Sequence, residues 1–200
     1  MRTKCDMRRM AFIQCAAELV REKGVENASM DNIVARLGGS KATLYNYFPS
    51  KDALLKAVLA HCALTQLGEV FRLLDPQQPL RAMLQDFAHK FLAELLAPDV
   101  LATLRLAQQD AERCDMGREF YEAGPKRGWT MVAEFLQAHM QAGHLRQADP
   151  WVAALHLRGL LESELLGPRL LGVIDTVSAE EIDAAANRAL DVYLRGYAPD

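Results

Sequence analysis

The sequence has few cysteines, and their positions form no recognisable pattern. Four cysteines occur in 200 residues, and no two of them have the short spacing that is typical of a disulfide framework or a zinc site. We therefore predict free thiols, no metal site and a reduced, cytoplasmic environment. The four residues are Cys5, Cys15, Cys62 and Cys114.

Long apolar segments are also absent. No apolar run is long enough to span a bilayer. The charged N-terminus, residues 1–6, is not followed by the uninterrupted apolar segment of a signal peptide. The sequence thus predicts neither a membrane protein nor an exported one.

Common catalytic motifs are missing as well. The sequence has no nucleophile–base spacing, no glycine-rich phosphate loop after a strand and no metal motif. His139 and His144 are five residues apart across a glycine turn, which is not a convincing spacing for metal ligands. We expect no cofactor and no catalytic residues.

Positive charge is scarce in most of the chain but not at its beginning. The formal net charge of −3 excludes a uniformly basic protein. Residues 1–60 carry a net charge of +4, whereas the remaining residues carry −7. This uneven distribution predicts a polyanionic partner at one end of the molecule. About half of the residues are apolar, enough for the core of one or two domains.

Helical periodicity runs along the chain and predicts an all-α fold of about nine helices. Apolar residues at three- and four-residue spacing indicate a first helix over residues 4–23, ended by Gly24. Beyond the first 50 residues, the predicted helices cover about 51–74, 80–96, 99–113, a short segment through 121, 125–142, 151–166 and 179–197.

Two short predicted helices meet at a glycine turn, Gly38-Gly39. Ser29 is a favourable N-cap for the first of them and Ser40 for the second. Pro49 ends the second helix. The spacing predicts a helix-turn-helix.

The residues of the second short helix suit contacts with double-stranded DNA. Small residues at its start allow it to enter the major groove end-on. Ser40 and Thr43 offer hydroxyls, and Lys41 can reach a guanine edge or a phosphate. Lys51, at the start of the next helix, opposes the helix dipole, so a phosphate partner explains it better than helix stability does.

This part of the sequence resembles the TetR family of transcriptional regulators over residues 10–60. The resemblance implies an all-helical homodimer with a three-helix DNA-binding head and a C-terminal body for ligand binding and dimerisation. The matching residues are Gly24, Ser29, Ile33, Gly38, Ser40, the run 44–48 and the run 51–55.

Carried over by motif position, the resemblance implies base contacts from Lys41, Ala42 and Thr43. It implies contacts with the DNA backbone from Ser29, Tyr45, Tyr47 and Lys51.

Two residues depart from the family pattern. Gly39 stands where the family usually has an apolar turn residue, so we expect a looser turn. Asp31 stands where many members have a polar or basic residue near DNA, so we expect no base contact from the first of the two helices.

A second set of motifs lies in the C-terminal part of the chain: Arg105-Leu106, Glu119-Phe120-Tyr121 with Gly124-Pro125, Ala142-Gly143-x-Leu145, Asp149-Pro150 with Ala153-Ala154, and Arg169-Leu170-Leu171-Gly172. Through these motifs, residues 90–172 resemble the AefR-like C-terminal domain, and AcrR-type efflux regulators are looser relatives. The resemblance implies a small apolar or amphipathic effector and a pocket among the middle helices. Each candidate residue, taken alone, is also compatible with ordinary core packing. The candidate ligand-binding residues are Phe71, Phe87, Phe91, Leu104, Gln108, Phe120, Trp129, Met131 and His156.

The last two long helices carry small residues at helical spacing, which would let helices of two subunits approach closely. A core within one chain is the alternative interpretation. The candidate dimer residues are Ala153, Ala154, Leu157, Leu161, Ile182, Ala185, Ala186, Ala189 and Tyr193.

Together these features predict a helix-turn-helix domain over residues 1–55 and a ligand-binding and dimerisation domain over 56–200. The predicted function is that of a ligand-responsive repressor that binds a pseudo-palindromic operator as a homodimer. Activation instead of repression is compatible with the same features. The alternative is a helical small-molecule-binding protein or enzyme with a vestigial DNA-binding head.

Overall fold

The computed structural model describes residues 4–24, 28–65, 67–109 and 116–199, and all regular structure in these ranges is helical. The predicted all-α class is therefore confirmed. The helices are α1 Lys4–Lys23, α2 Met30–Leu37, α3 Lys41–Tyr47, α4 Lys51–Thr65, α5 Gly68–Phe71, α6 Leu80–Leu95, α7 Pro98–Gln109, α8 Met116–Ala123, α9 Pro125–Gln141, α10 Pro150–Glu162, α11 Leu166–Leu170 and α12 Ala179–Gly196.

The predicted long helix over residues 51–74 is wrong. The structure has two helices there, because α4 ends at Thr65 and the one-turn helix α5 begins at Gly68. Glycine is a poor helix former, and the buried ring of Phe71 packs against aromatic side chains of α6 and α9. The periodicity of residues 51–74 does not predict these contacts of Phe71 with distant helices.

The predicted end of the helix beginning near Trp151 is also wrong. Helix α10 ends at Glu162, and Gly167-Pro168, expected to close it, lie inside the short helix α11. Proline is tolerated in the first turn of a helix, where its missing N–H has no intrahelical partner. The predicted extension of α7 from 110 to 113 lies outside the described residues.

The chain divides into two compact units. The first unit comprises Met1–Ala63 and Ala102–Phe120, and the second comprises Leu64–Leu101 and Tyr121–Asp200. Each unit is therefore formed by two separate segments of the chain. The expected division into residues 1–55 and 56–200 remains a prediction about function.

The first unit has a core that joins α1, α2, α3 and α4. Helix α1 contributes the face predicted from its periodicity, since Ile13, Ala16 and Val20 are buried. Leu44 of α3 and Phe48, the residue directly after this helix, are buried in the same cluster and anchor α3. A bidentate pair between Arg36 of α2 and Glu22 of α1, with N···O distances of 2.7 and 2.8 Å, ties these two helices together.

The second unit is built on packing of α6, α9, α10 and α12. Helices α6 and α12 run antiparallel, and their polar edges meet in three side-chain pairs. The pairs are Arg81 with Asp191, Gln85 with Asn187 and His89 with Asp183. Ser178 and Glu181 form a capping box that begins α12.

Candidate nucleic-acid interface

Two capped helices form the candidate interface. Ser29 precedes α2 and its Oγ accepts a hydrogen bond from the Asn32 amide at 3.2 Å. Ser40 precedes α3 and its Oγ accepts from the Thr43 amide at 3.2 Å. Both predicted N-caps are confirmed, and each satisfies an amide that the helix itself leaves without a partner.

The turn between α2 and α3 is held by α1. Gly38 and Gly39 have φ angles of 75° and 109°, which favour glycine. The Arg8 guanidinium donates to the Gly38 carbonyl at 2.9 Å and lies over the Phe12 ring. A Cβ at Gly39 would lie 2.9 Å from Arg8 Nη2, so Arg8 occupies the space that a larger turn residue would need.

The start of α3 presents its predicted base-reading residues. Lys41 and Ala42 are exposed and Thr43 is half-buried. The Oγ of Ser40 and the Oγ1 of Thr43 are 2.9 Å apart. One of these hydroxyls donates to the other, so the pair keeps one O–H for an external acceptor such as a base edge.

Asp31 and Lys41 form an ion pair at the same surface. Asp31 lies in the first turn of α2 and Lys41 is the first residue of α3. Asp31 Oδ1 and Lys41 Nζ are 2.5 Å apart, and the two side chains are 61% and 59% exposed. The sequence did not predict this pair, because ten positions and a two-glycine turn separate Asp31 from Lys41.

The predicted backbone-contacting residues differ in exposure. Tyr45 is 48% exposed, whereas Tyr47 is half-buried and its ring packs against Phe12 at a centroid distance of 5.7 Å. Lys51, the first residue of α4, is half-buried. Ser50 caps α4 by accepting from the Ala53 amide at 3.1 Å. Of the two tyrosines, Tyr45 is thus the better placed to reach a phosphate.

The candidate ligand-binding residues belong to both units, and four of them are core residues of the second unit. Phe71, Phe87, Phe91 and Trp129 form a buried cluster in the second unit, with ring centroids 5.2 to 6.1 Å apart. Their rings fill the space between one another, as core residues do. The others are exposed or half-buried, and those residues are Leu104, Gln108, Phe120, Met131 and His156.

His156 and a surface groove of the second unit also bear on where a ligand could bind. His156 forms a hydrogen bond with the Tyr197 hydroxyl at 2.7 Å, so this histidine has a partner within the chain. An open groove of about 510 Å³ lies between α9 and α10, and none of the candidate ligand-binding residues lines it. The lining residues are Lys126, Thr130, Ala133, Glu134, Gln137, Asp149, Pro150 and Trp151.

The candidate dimer residues are buried within the single chain. The residues on α10 are at most 1% exposed and those on α12 at most 8%. They pack α10 and α12 against each other and against α6, so they present almost no surface to a second copy. The residues are Ala153, Ala154, Leu157, Leu161, Ile182, Ala185, Ala186, Ala189 and Tyr193.

The side chains of His139 and His144 lie in contact, although the two residues are five positions apart in the sequence. Their Nδ1 atoms are 3.0 Å apart, because Gly143, with φ 76°, turns the chain after α9. Burial, and then the neighbouring His144, lowers the pKa of His139. Among the described residues, no three His, Cys, Asp or Glu side chains come together to hold a metal ion.

Capped helices joined by a two-glycine turn, with an exposed polar start to the second helix, make this chain a helix-turn-helix protein. The model of the AefR-like transcriptional repressor C-terminal domain matches residues 82–199, more than half of the chain. The model of the bacterial regulatory proteins of the tetR family matches residues 12–58. The chain therefore belongs to the TetR family, whose two models describe bacterial regulatory proteins and a transcriptional repressor domain.

Curated relatives agree with this family. The HTH-type regulator YvdT of Bacillus subtilis (strain 168) is 36% identical over 59 residues, which are 30% of each protein. The nicotine-responsive repressor HdnoR of Paenarthrobacter nicotinovorans is 26% identical over 119 residues, which are 57% of this chain and 61% of that protein. The chain thus matches less than two thirds of the length of each.

Solved structures are similar over almost the whole chain. A protein of Mesorhizobium loti MAFF303099, assigned to the TetR family, is 27% identical with a TM-score of 0.91, over 98% of this chain and 100% of that one. The flavonoid-responsive regulator FrrA is 31% identical with a TM-score of 0.73, over 96% of this chain and 98% of that one. In the described ranges, no helix is both long and apolar enough to cross a membrane.

Proposed function

We propose that this protein is a ligand-responsive repressor that binds a pseudo-palindromic operator as a homodimer. The observation that carries this proposal is the capped start of α3, where exposed Lys41 and Ala42 lie beside the paired hydroxyls of Ser40 and Thr43. Such a short polar helix end fits the major groove. In this proposal, the protein is not an enzyme and acts in the cytoplasm.

The proposal assigns base contacts to Ser40, Lys41, Ala42 and Thr43. It assigns contacts with the DNA backbone to Ser29, Tyr45, Tyr47 and Lys51. Residues 1–55 form the DNA-binding domain in this proposal, and residues 56–200 bind the effector and form the dimer.

The dimer surface that we propose is the exposed side of α10 and α12, not their buried small residues. Val152 and Leu155 of α10 are 42% and 36% exposed, and Val192 of α12 is 58% exposed. Gly159 lies on the same side of α10, and a Cβ there would meet nothing within 4 Å. An apolar helix face with a glycine supports close packing against a second copy.

The effector that we propose is a small apolar or amphipathic molecule. HdnoR is described as nicotine-responsive and FrrA as flavonoid-responsive, and both names refer to compounds with aromatic rings. An effector that binds preferentially to a conformation with a different spacing of the two α3 helices would lower operator affinity by its difference in affinity for the two states.

Fluorescence anisotropy with DNA from immediately upstream of its own gene tests the proposal. We expect wild-type protein to prefer this fragment to random duplex at physiological salt. Tyr45→Ala and Lys51→Ala should weaken both kinds of binding by about tenfold each. Lys51→Ala should also make the slope of log affinity against log salt less steep by about 0.9.

Lys126→Ala is the matched control, because Lys126 is an exposed lysine outside the helix-turn-helix that pairs with Glu122. It should bind both DNAs like the wild type. Equal binding of upstream and random DNA by the wild type, together with turnover of a small molecule, would contradict the proposal and favour an enzyme. Binding left unchanged by both substitutions would refute the assigned backbone contacts.

A further inference from the structure

We propose that Asp31 determines specificity at this interface by holding the ammonium group of Lys41. The inference rests on the proposed role of Lys41 in contacting bases. It assigns a function to a residue for which the sequence predicted no base contact. The observation is the 2.5 Å contact between Asp31 Oδ1 and Lys41 Nζ, at the adjoining starts of α2 and α3.

Stability of the fold does not explain the pair. Both side chains are about 60% exposed, and exposed ion pairs contribute little to folding. Lys41 is moreover the first residue of α3, where a positive charge opposes the helix dipole. A lysine at this position, neutralised by a neighbouring helix, is better explained by what it contacts outside the chain.

An unpaired lysine at this position would bind any phosphate. Non-specific DNA binding is almost entirely such an electrostatic interaction, and it does not depend on sequence. With Asp31 in place, a phosphate contact by Lys41 requires either breaking the ion pair or bringing a carboxylate next to the negatively charged backbone. Asp31 therefore weakens binding to random DNA.

The intact pair suits a base edge better than a phosphate. The ammonium group has three N–H donors, so Lys41 can donate to Asp31 and to guanine O6 or N7 at the same time. The carboxylate keeps free lone pairs that can accept from cytosine N4. Donor and acceptor side by side thus complement a G·C pair in the major groove, whereas a phosphate offers acceptors alone.

Asp31→Asn tests the inference, and Asp52→Asn is its matched control. Asp52 is an exposed acid in the first turn of α4, so both substitutions remove one negative charge from the first unit. Dissociation constants are measured for an operator obtained by in vitro selection and for random duplex of equal length, between 50 and 200 mM salt.

We expect Asp31→Asn to strengthen binding to random duplex and to lower the ratio of operator to random affinity by about tenfold. The salt slope on random duplex should become steeper by about 0.9. Selection with this variant should lose preference at one G·C position. Asp52→Asn should strengthen both kinds of binding alike and leave the ratio unchanged.

Two further variants show whether Asp31 acts through Lys41. Asp31→Glu should retain most of the specificity ratio, because it keeps the carboxylate. In a Lys41→Ala background, Asp31→Asn should lower the ratio by far less than tenfold, because the ammonium group that Asp31 holds is gone. Circular dichroism of each variant confirms that it is folded.

An unchanged ratio in Asp31→Asn, or the same loss in Asp52→Asn, would overturn the inference. If the wild type itself does not distinguish operator from random duplex, the proposed function fails. If it does distinguish them and Asp31→Asn distinguishes them equally well, only the role of Asp31 fails.

Discussion

Two side chains of opposite charge, Asp31 and Lys41, lie at the starts of α2 and α3. Asp31 is favourable in the first turn of α2, whereas Lys41 is unfavourable at the start of α3. In the free protein, the ammonium group of Lys41 lies against the Asp31 carboxylate. At the residue scale, we therefore assign recognition to the Asp31–Lys41 pair and not to Lys41 alone.

His139 is a second residue whose surroundings set its chemistry. It is 2% exposed, its ring meets Phe135 at a centroid distance of 4.6 Å, and its Nε2 has no hydrogen-bond partner among the described residues. Burial therefore favours the neutral imidazole and lowers the pKa of His139.

The lowered pKa predicts a loss of stability in mild acid. The unfolded chain binds a proton at His139 as the pH falls through about 6.5, while the folded chain resists protonation, so the free energy of unfolding decreases. We expect His139→Phe to lose less stability than the wild type between pH 7.5 and pH 5.5, as measured by urea denaturation.

Phe135→Leu is the control for this experiment, because it changes the same contact without removing a titratable group. It should lose as much stability between the two pH values as the wild type does. Equal losses in His139→Phe and the wild type would show that His139 does not contribute to the acid sensitivity.

At the scale of elements, α9 depends on one glycine for its packing. Gly128 lies in the first turns of α9, and a Cβ there would lie 2.3 to 2.6 Å from ring atoms of Phe71. Phe71 in turn packs against Phe87, Phe91 and Trp129, so its ring has little room to move. Only a glycine allows α9 to approach α5 this closely.

Gly128→Ala should therefore destabilise the protein by about 1 to 3 kcal/mol, the usual cost of overpacking a core. Urea denaturation with tryptophan fluorescence measures this change. Gly196→Ala is the matched control, because a Cβ at that helical glycine meets nothing within 4 Å.

The control should leave stability unchanged or raise it by up to about 1 kcal/mol. Adding Phe71→Leu to Gly128→Ala should recover part of the loss, since leucine leaves room for the new methyl group. Equal effects of the two alanine substitutions would contradict the packing argument.

Element boundaries show where local sequence signals suffice. The start of α12 at residue 179 and the Gly24 cap of α1 were predicted correctly, since each depends on residues within one helical turn. The break between α4 and α5 was not predicted. Phe71 of α5 contacts aromatic rings of α6 and α9, and these contacts join residues that lie far apart in the sequence.

At the scale of the whole molecule, the dimer that we propose would offer two α3 helices to two half-sites. Half-sites in successive major grooves are about 34 to 36 Å apart. The exposed face of α10 and α12 offers Val152, Leu155 and Val192 to a second copy. A charge placed there should separate the subunits without disturbing the buried core.

We therefore expect Val192→Arg to convert the protein from a dimer into a monomer of 22.3 kDa. Light scattering coupled to size-exclusion chromatography measures the mass. Operator affinity should fall by about 100-fold or more, because one half-site alone supplies about half of the contacts.

Leu73→Arg is the control, because Leu73 is 40% exposed and lies outside α10 and α12. It should remain dimeric and bind the operator like the wild type. A Val192→Arg variant that stays dimeric would show that this face is not the interface.

The sequence by itself determined the helical class, most helix ends and the helix-turn-helix. These properties follow from periodicity, caps and turn residues, whose physical causes act over one or two helical turns. The family and the candidate DNA-contacting residues came instead from the resemblance of residues 10–60 and 90–172 to known regulators, and the DNA contacts remain a prediction.

The tertiary structure decided which faces are buried and which distant residues meet. It placed the alanines of α10 and α12 inside the chain and left Val152, Leu155 and Val192 outside. It also brought Asp31 to Lys41 across the two-glycine turn. The periodicity of one helix shows that a face is apolar, but the packing of neighbouring helices determines what covers that face.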